Sequence, residues 1–320
     1  LMERGYTPGS LLSEDGENII GSWRSDKITR QRLISLLKRG AQMSLVLEKW
    51  SRAGIWILTR SDKDYPKKLK TRLGQLSPPV LFGSGNKKLL NFAGIAVVGS
   101  REVTESELDF TKELAKSISE NDLTIISGGA RGIDETSMIS SIANNGNAIG
   151  ILADSLLQKS ISQMYRNYLS EGKLALISPY YPEAGFNVGN AMGRNKYIYC
   201  LSEAAIVVHS GLKGGTWSGA VENLKKRWVP LYIKQNKDKE SGNSLLIRNG
   251  GLTLDEGLST DEIINSILKR KGFVVDDFRV STVHEPRTEL KTETHQLTSS
   301  KSNVELKEIN IEVKFYDLFI

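Results

Sequence analysis

The chain has 320 residues, a single cysteine, 25% charged and 39% hydrophobic residues, a composition that fits a soluble globular protein of one large domain with appendages, or of two domains. Its net charge of +6 is unevenly placed: residues 1–90 carry 17 Lys and Arg against 8 Asp and Glu, and the rest of the chain is slightly acidic. A basic N-terminal part suits a polyanion or simply a solvated face, while a lone Cys200 excludes an internal disulfide and, with no apolar run of membrane-spanning length, points to a cytoplasmic protein without membrane attachment.

The chain opens on Leu1-Met2, which suggests a piece upstream, and carries no basic-then-apolar leader. Residues 1–60 read as a basic helical domain. Thr29 is placed to cap a helix through Leu33, Ile34 and Leu37 that closes at Gly40, and a second helix runs through Met43, Val46 and Trp50 to Gly54. Paired short helices of this kind resemble compact DNA-binding modules of the SAM or helix-hairpin-helix type, and serve equally as packing domains without a ligand. A short strand, Ile55-Trp56-Ile57-Leu58, follows. Residues 61–92 read as an extended lead-in, since Pro78-Pro79 stops any helix before Val80-Leu81-Phe82.

Between about 93 and 272 strands alternate with helices, which predicts an α/β, Rossmann-like, doubly wound and mainly parallel sheet. The candidate strands are Ile95 to Val98, Thr124 to Ile126, Ala148 to Leu152, Leu174 to Ile177, Ala204 to Val208 and Val229 to Ile233. Right-handed crossovers would open all their carboxyl-end turns on one edge. Residues 273–304, polar and without apolar period, read as a flexible linker, and 305–320, ending on Phe315 to Ile320, as a docking segment or the start of a truncated C-terminal module.

Four clusters should meet at the carboxyl edge: Gly99-Ser100-Arg101, Ser127-Gly128-Gly129-Ala130-Arg131-Gly132, Asn187 to Lys196 with Arg194, Asn195 and Lys196, and Lys213-Gly214-Gly215-Thr216. Glycine lets an anion approach backbone N–H groups, and arginine offers a planar fork matched to phosphate oxygens. Together they predict a phosphate-binding edge with Arg194 and Lys196 projecting from a segment before a helix. Each residue also has a purely structural use. Asp134 reads as a helix N-cap, Trp217 as a packing anchor or a base-stacking ring, and Ser100 and Ser127 as turn residues.

Several chemistries find no support. The three histidines, His209, His284 and His295, match no nucleophile elbow and, with one cysteine, no metal-ligand spacing. Neither the dinucleotide glycine pattern nor the Walker phosphate loop is present. No cofactor and no catalytic group is expected.

The joint occurrence in order of Gly99-Ser100-Arg101, Ser127-Gly128-Gly129-Ala130-Arg131-Gly132-Ile133-Asp134, Gly193-Arg194-Asn195-Lys196-Tyr197-Ile198, Leu201-Ser202 and Gly242-Asn243 resembles the DNA-processing protein A (DprA/Smf) family. Asp62-Lys63-Asp64-Tyr65-Pro66 and Pro78-Pro79-Val80-Leu81-Phe82-Gly83 resemble that family's approach to its Rossmann-like domain. Met138 stands where the family commonly has histidine, and Lys196 where it has a second arginine, the pattern of a divergent branch.

The resemblance implies a protein that binds and protects single-stranded DNA, assists loading of a RecA-type recombinase in DNA uptake and recombination, and forms a homodimer. It implies phosphate contacts at Ser100, Arg101, Gly128, Gly129, Arg131, Gly132, Arg194, Asn195 and Lys196, to which the Lys213, Gly214, Gly215 and Thr216 turn is added as a neighbour. The same superfamily holds nucleotide-signal sensors and nucleoside phosphoribohydrolases, and Gly214-Gly215-Thr216 with Glu222 faintly resembles the latter's site.

Overall fold

A computed structural model describes residues 5–6, 8–25, 28–236, 238–254 and 257–269. The expected linker and C-terminal segment, 273–304 and 305–320, lie outside the described residues. Twelve α-helices and nine strands are described.

The first three helices are α1 (Gly16–Gly21), α2 (Arg30–Leu37) and α3 (Gly40–Arg52). The Thr29 hydroxyl accepts the Arg32 N–H and caps α2 as its sequence position predicts, but Gly40 opens α3 rather than closing α2. Leu11, Ile19 and Leu33 form a small cluster of their own. Trp50 of α3 instead packs into the main core, so α3 belongs physically to the sheet it precedes.

The sheet contains β1 (Ile55–Thr59), β2 (Val80–Gly85), β3 (Gly94–Gly99), β4 (Thr124–Ser127), β5 (Asn147–Ile151), β6 (Leu174–Ser178), β7 (Ala204–His209), β8 (Leu231–Ile233) and β9 (Leu252–Thr253). Their order is β1-β2-β6-β5-β4-β3-β7-β8-β9. Pairing is parallel from β6 through β9, and antiparallel for β1 with β2 and β2 with β6. The stretch 61–92, expected as an extended lead-in, therefore contributes β2 to the sheet, along with α4 (Lys67–Leu73). Gly83 lets the Trp56 ring of β1 lie flat against its partner strand, because a Cβ there would overlap that ring.

Strands buried on both faces read as unbroken apolar runs. Successive residues split between two core layers: Ile95 and Val97 pack on one side, Ala96 and Val98 on the other. The first layer is closed by α3, α5 (Glu105–Glu120), α6 (Ile133–Ala143), α7 (Leu156–Ile161), α8 (Gln163–Ser170) and α12 (Thr260–Lys269). The second is closed by α4, α9 (Val188–Leu201), α10 (Gly215–Lys226) and α11 (Gly242–Arg248). The arrangement is Rossmann-like, and its strand order turns around at β3, which lies between β4 and β7. A crevice at such a turning point is where open α/β sheets take ligands. Among the described residues no helix is long and apolar enough to cross a membrane.

Candidate nucleic-acid interface

A cavity of about 390 Å³ lies at that crevice, between the end of β3, the amino-terminal half of α9 and the start of α10. The β3 and β7 ends are tied together: the Ser100 N–H donates to the His209 carbonyl at 3.0 Å. The Thr216 hydroxyl donates to the Gly99 carbonyl at 2.9 Å and brings α10 onto the same edge. Gly132, at φ 85°, opens α6, and a Cβ there would come within 2.6 Å of the Ser100 carbonyl oxygen. That close approach and left-handed backbone both require glycine.

Beneath the cavity sits a buried polar layer built on Asp134 and Arg194. Asp134, only 6% exposed, accepts the Gly99 N–H at 3.3 Å and the Gly128 N–H at 3.2 Å. It is not the N-cap of α6, a position Gly132 holds; it sits in the first turn and ties β3 to the turn after β4. Arg194 is 7% exposed and donates Nη1 to the Ile151 carbonyl at 2.7 Å, while its Nε is buried without a partner. Burial pushes the Asp134 carboxyl up and the Arg194 guanidinium down, and each opposes the shift in the other by charge attraction. Lys159 donates to the Gly129 carbonyl at 2.8 Å; burial lowers its pKa, and Asp154 and Glu135 oppose that. The Gly99 and Gly128 N–H groups are thus committed to Asp134, and a ligand needs donors beyond these two.

The rim supplies them. Arg101 is exposed, with its guanidinium carbon 5.8 Å from the centroid of the Phe186 ring, and Phe186 is itself 60% exposed. Lys213 and Gly214 are exposed, and neither α10, capped at Gly214, nor α6 has a side-chain cap. The first N–H groups of an α-helix have no intrahelical acceptor, so the α10 start presents donors and the positive end of a dipole at the mouth. Val188 and Met192 add exposed apolar surface beside it.

Arg194, Asn195 and Lys196 lie inside α9, not before a helix as their sequence suggests. Asn187 caps that helix by accepting the Asn190 N–H, and Arg72 of α4 bonds the Cys200 and Ser202 carbonyls at its other end. Helical spacing turns Arg194 and Asn195 to the cavity, where Asn195 donates to the Gly215 carbonyl at 2.9 Å. It turns Lys196 to the other side, over Tyr197 and toward the Cys200 thiol. Arg131 is exposed but does not line the cavity. Trp217 is half-buried against the second core layer, where it packs.

Phe186, Asp134 as a backbone tie, and Lys159 were not selected by sequence reasoning. Phe186 stands in an irregular segment, Glu183-Ala184-Gly185-Phe186, with no periodicity to mark it. The serines at the edge bond backbone: Ser127, in β4 rather than in a turn, donates Oγ across the sheet to the Val97 carbonyl of β3 at 2.6 Å, and Ser100 Oγ accepts the Glu102 N–H within its own turn at 3.3 Å. His209 Nδ1 pairs with Glu107 at 2.7 Å. The arrangement suits reversible capture of an anion with an aromatic face beside it.

The family model for DNA recombination-mediator protein A matches residues 56–267. A protein Smf from Synechocystis is 28% identical over 230 residues, 69% of this chain and 56% of that protein. A DNA processing protein DprA from Bacillus subtilis is 30% identical over 184 residues, 57% of this chain and 61% of the relative. The chain thus spans little more than half the length of these curated relatives. Among solved structures, DprA from Streptococcus pneumoniae matches at TM-score 0.62 and 20% identity, over 82% of this chain and 93% of that one, a likeness of fold. DNA processing protein A from Helicobacter pylori, a structure concerned with that protein's single-stranded DNA binding mode, matches at TM-score 0.54 and 25% identity, over 67% of this chain and 96% of that one. With the model spanning β1's Trp56 to α12's Ile267, and so the whole sheet and the cavity at its edge, the chain belongs to the DNA recombination-mediator protein A family.

Proposed function

We propose that the chain binds single-stranded DNA across the carboxyl edge of the sheet, with little sequence preference. The observation that carries this reading is the pairing of an exposed cation with an exposed ring: Arg101 faces Phe186 at the mouth of the cavity, beside the uncapped start of α10. Arginine and helix N–H groups hold phosphates, and a ring offers any base a stacking face, but neither reads base edges in order. The Helicobacter pylori relative's single-stranded DNA binding supports the same ligand.

In this account Ser100, Arg101, Lys213, Gly214, Gly215, Thr216 and Asn195 form the outer contact surface. Arg194, Gly128, Gly129 and Gly132 hold the shape beneath it, and Arg131 and Lys196 lie outside. The protein acts as a binder rather than a catalyst, because its edge serines are engaged with backbone and its one described histidine with Glu107. Handing the strand to a RecA-type recombinase and acting as a homodimer are proposed from the family resemblance.

The test is a fluorescence-anisotropy comparison of single-stranded DNA, duplex DNA, RNA and nucleoside monophosphates on the full chain. Single-stranded DNA should bind tightest and be insensitive to base composition. Tight binding of a free monophosphate that competes with the strand would favour a nucleotide sensor, and base release from it would make the protein a hydrolase.

A further inference from the structure

Trp50, near the end of α3, joins that helix to the loop that carries Phe186. Its ring meets Phe82 of β2 and Tyr181 of the loop edge-on, each at 5.2 Å between centroids. Its indole N–H donates to Glu183 Oε1 at 3.2 Å, and the adjacent Lys49 donates to Oε2 at 2.5 Å. The Lys49 ammonium, with help from the Trp50 and Tyr181 donors, holds the Glu183 carboxyl below its usual range. Glu183 is therefore gripped from α3 by two different side chains.

The loop, residues 179–187, runs from the end of β6 to Asn187, the cap of α9. Its inner side is pinned by backbone bonds from Leu157 N–H to the Pro182 carbonyl and from Ser155 N–H to the Ala184 carbonyl, both 2.9 Å. Phe186 follows within three residues and is 60% exposed, so its own burial does little to fix the ring. Its place opposite Arg101 is set by the anchors on either side: Asn187 on one, and on the other Ala184, held by Ser155, together with Glu183 and its α3 partners. An exposed ion pair adds little stability by itself, so the effect of this grip is on geometry.

We infer that Glu183 is a positioning residue for strand binding: by tying α3 to the 179–187 loop it holds Phe186 in place over Arg101, so that α3 governs how well a base is stacked. The inference rests on the single-strand reading of this edge.

The experiment measures affinities of the full chain for oligo(dT) and for an abasic oligonucleotide of equal length, with wild type, Glu183→Ala, Phe186→Ala and the double variant. Glu183→Ala should weaken oligo(dT) binding about fivefold, part of the worth of one base stack. It should leave abasic binding unchanged, add nothing in the Phe186→Ala background, and move the Tm by no more than about 2 °C. Glu183→Gln, which keeps an acceptor for Trp50 and Lys49, should retain most of the affinity. Additive effects of the two substitutions, an equal loss on the abasic strand, or no loss at all would overturn the inference while leaving the strand-binding reading in place. A wild-type chain that binds neither oligonucleotide would overturn both.

Discussion

The carboxylate of Asp134 stands against the backbone of Gly128, whose N–H it accepts at 3.2 Å while its second oxygen takes the Gly99 N–H at 3.3 Å. One buried side chain thus joins the ends of β3 and β4 and fixes the spacing of the two turns that flank the cavity. Arg194 closes the other side of the same point, since a Cβ on Gly128 would overlap its Nη1 and lie 2.6 Å from its Cζ.

Gly128→Ala should therefore destabilise the fold although its backbone needs no unusual φ. The methyl group must displace a buried carboxylate and guanidinium, and overpacking of this kind costs about 2–3 kcal/mol. Urea unfolding monitored by circular dichroism measures the loss. A variant within about 0.5 kcal/mol of wild type, the range of an ordinary surface change, would show that the pair yields easily.

Arg194 and Lys196, two residues apart, should behave oppositely. Arg194→Glu sets a second carboxylate beside Asp134 and removes the donor to Ile151, so it should cost about 3–5 kcal/mol and lose DNA binding through misfolding. Lys196→Glu, on the far side of α9 and half-buried over Tyr197, should lower Tm far less than Arg194→Glu and leave single-strand affinity within about twofold, since it does not line the cavity. Thermal melts and anisotropy on both variants check this.

The difference between those residues marks where the sequence becomes hard to read. The parallel strands are legible because burial on both faces makes Ile95 to Val98 or Ala204 to Val208 continuous apolar runs, each ending at a small-residue turn. In α9 the glycines misled. Gly189 and Gly193 suggest a turn, yet the segment is helical, with Gly193 lying close to the Tyr180 hydroxyl, 2.9 Å from where a Cβ would be. Asp134 and Arg194 are 60 positions apart in the chain, and β2 and β6 nearly 100, so no local pattern reveals that they meet. The small-residue turns place the candidate residues along one sheet edge, but which of them line the cavity and which lie buried beneath it depends on those long-range contacts.

Acid should weaken the fold partly through Glu107. Burial pushes its carboxyl up, but the Thr104 N–H, the neighbouring His209 and the Thr104 hydroxyl outweigh this and leave the folded value below the ordinary 4.5. The unfolded state therefore takes up the proton first. This contribution to stability is whole above pH 4.5 and is lost as the pH falls through the lowered folded value. Glu107→Gln should flatten that part of the acid limb in a series of urea melts, and an unchanged slope would assign the loss to other carboxylates.

Cys200 should be inert in the native protein. Burial pushes its thiol up to about 12, with Arg72 opposing the shift, so almost no thiolate exists at neutral pH. Ellman's reagent at pH 8 should react at a rate limited by unfolding and become fast in denaturant. Rapid reaction without denaturant would mean that the α4–α9 contact opens readily.

The most direct measurement of the central claim is the salt dependence of single-strand binding by wild type and Arg101→Ala. Arg101 is exposed at the mouth of the cavity and carries no structural bond among the described residues beyond its contact with Phe186, so its removal should spare the fold. If it neutralises one phosphate, the variant should bind more weakly at every salt concentration, and the slope of log affinity against log salt should flatten by about 0.7. An Arg101→Ala protein with unchanged affinity and unchanged slope would contradict the account, because the strand would then run elsewhere.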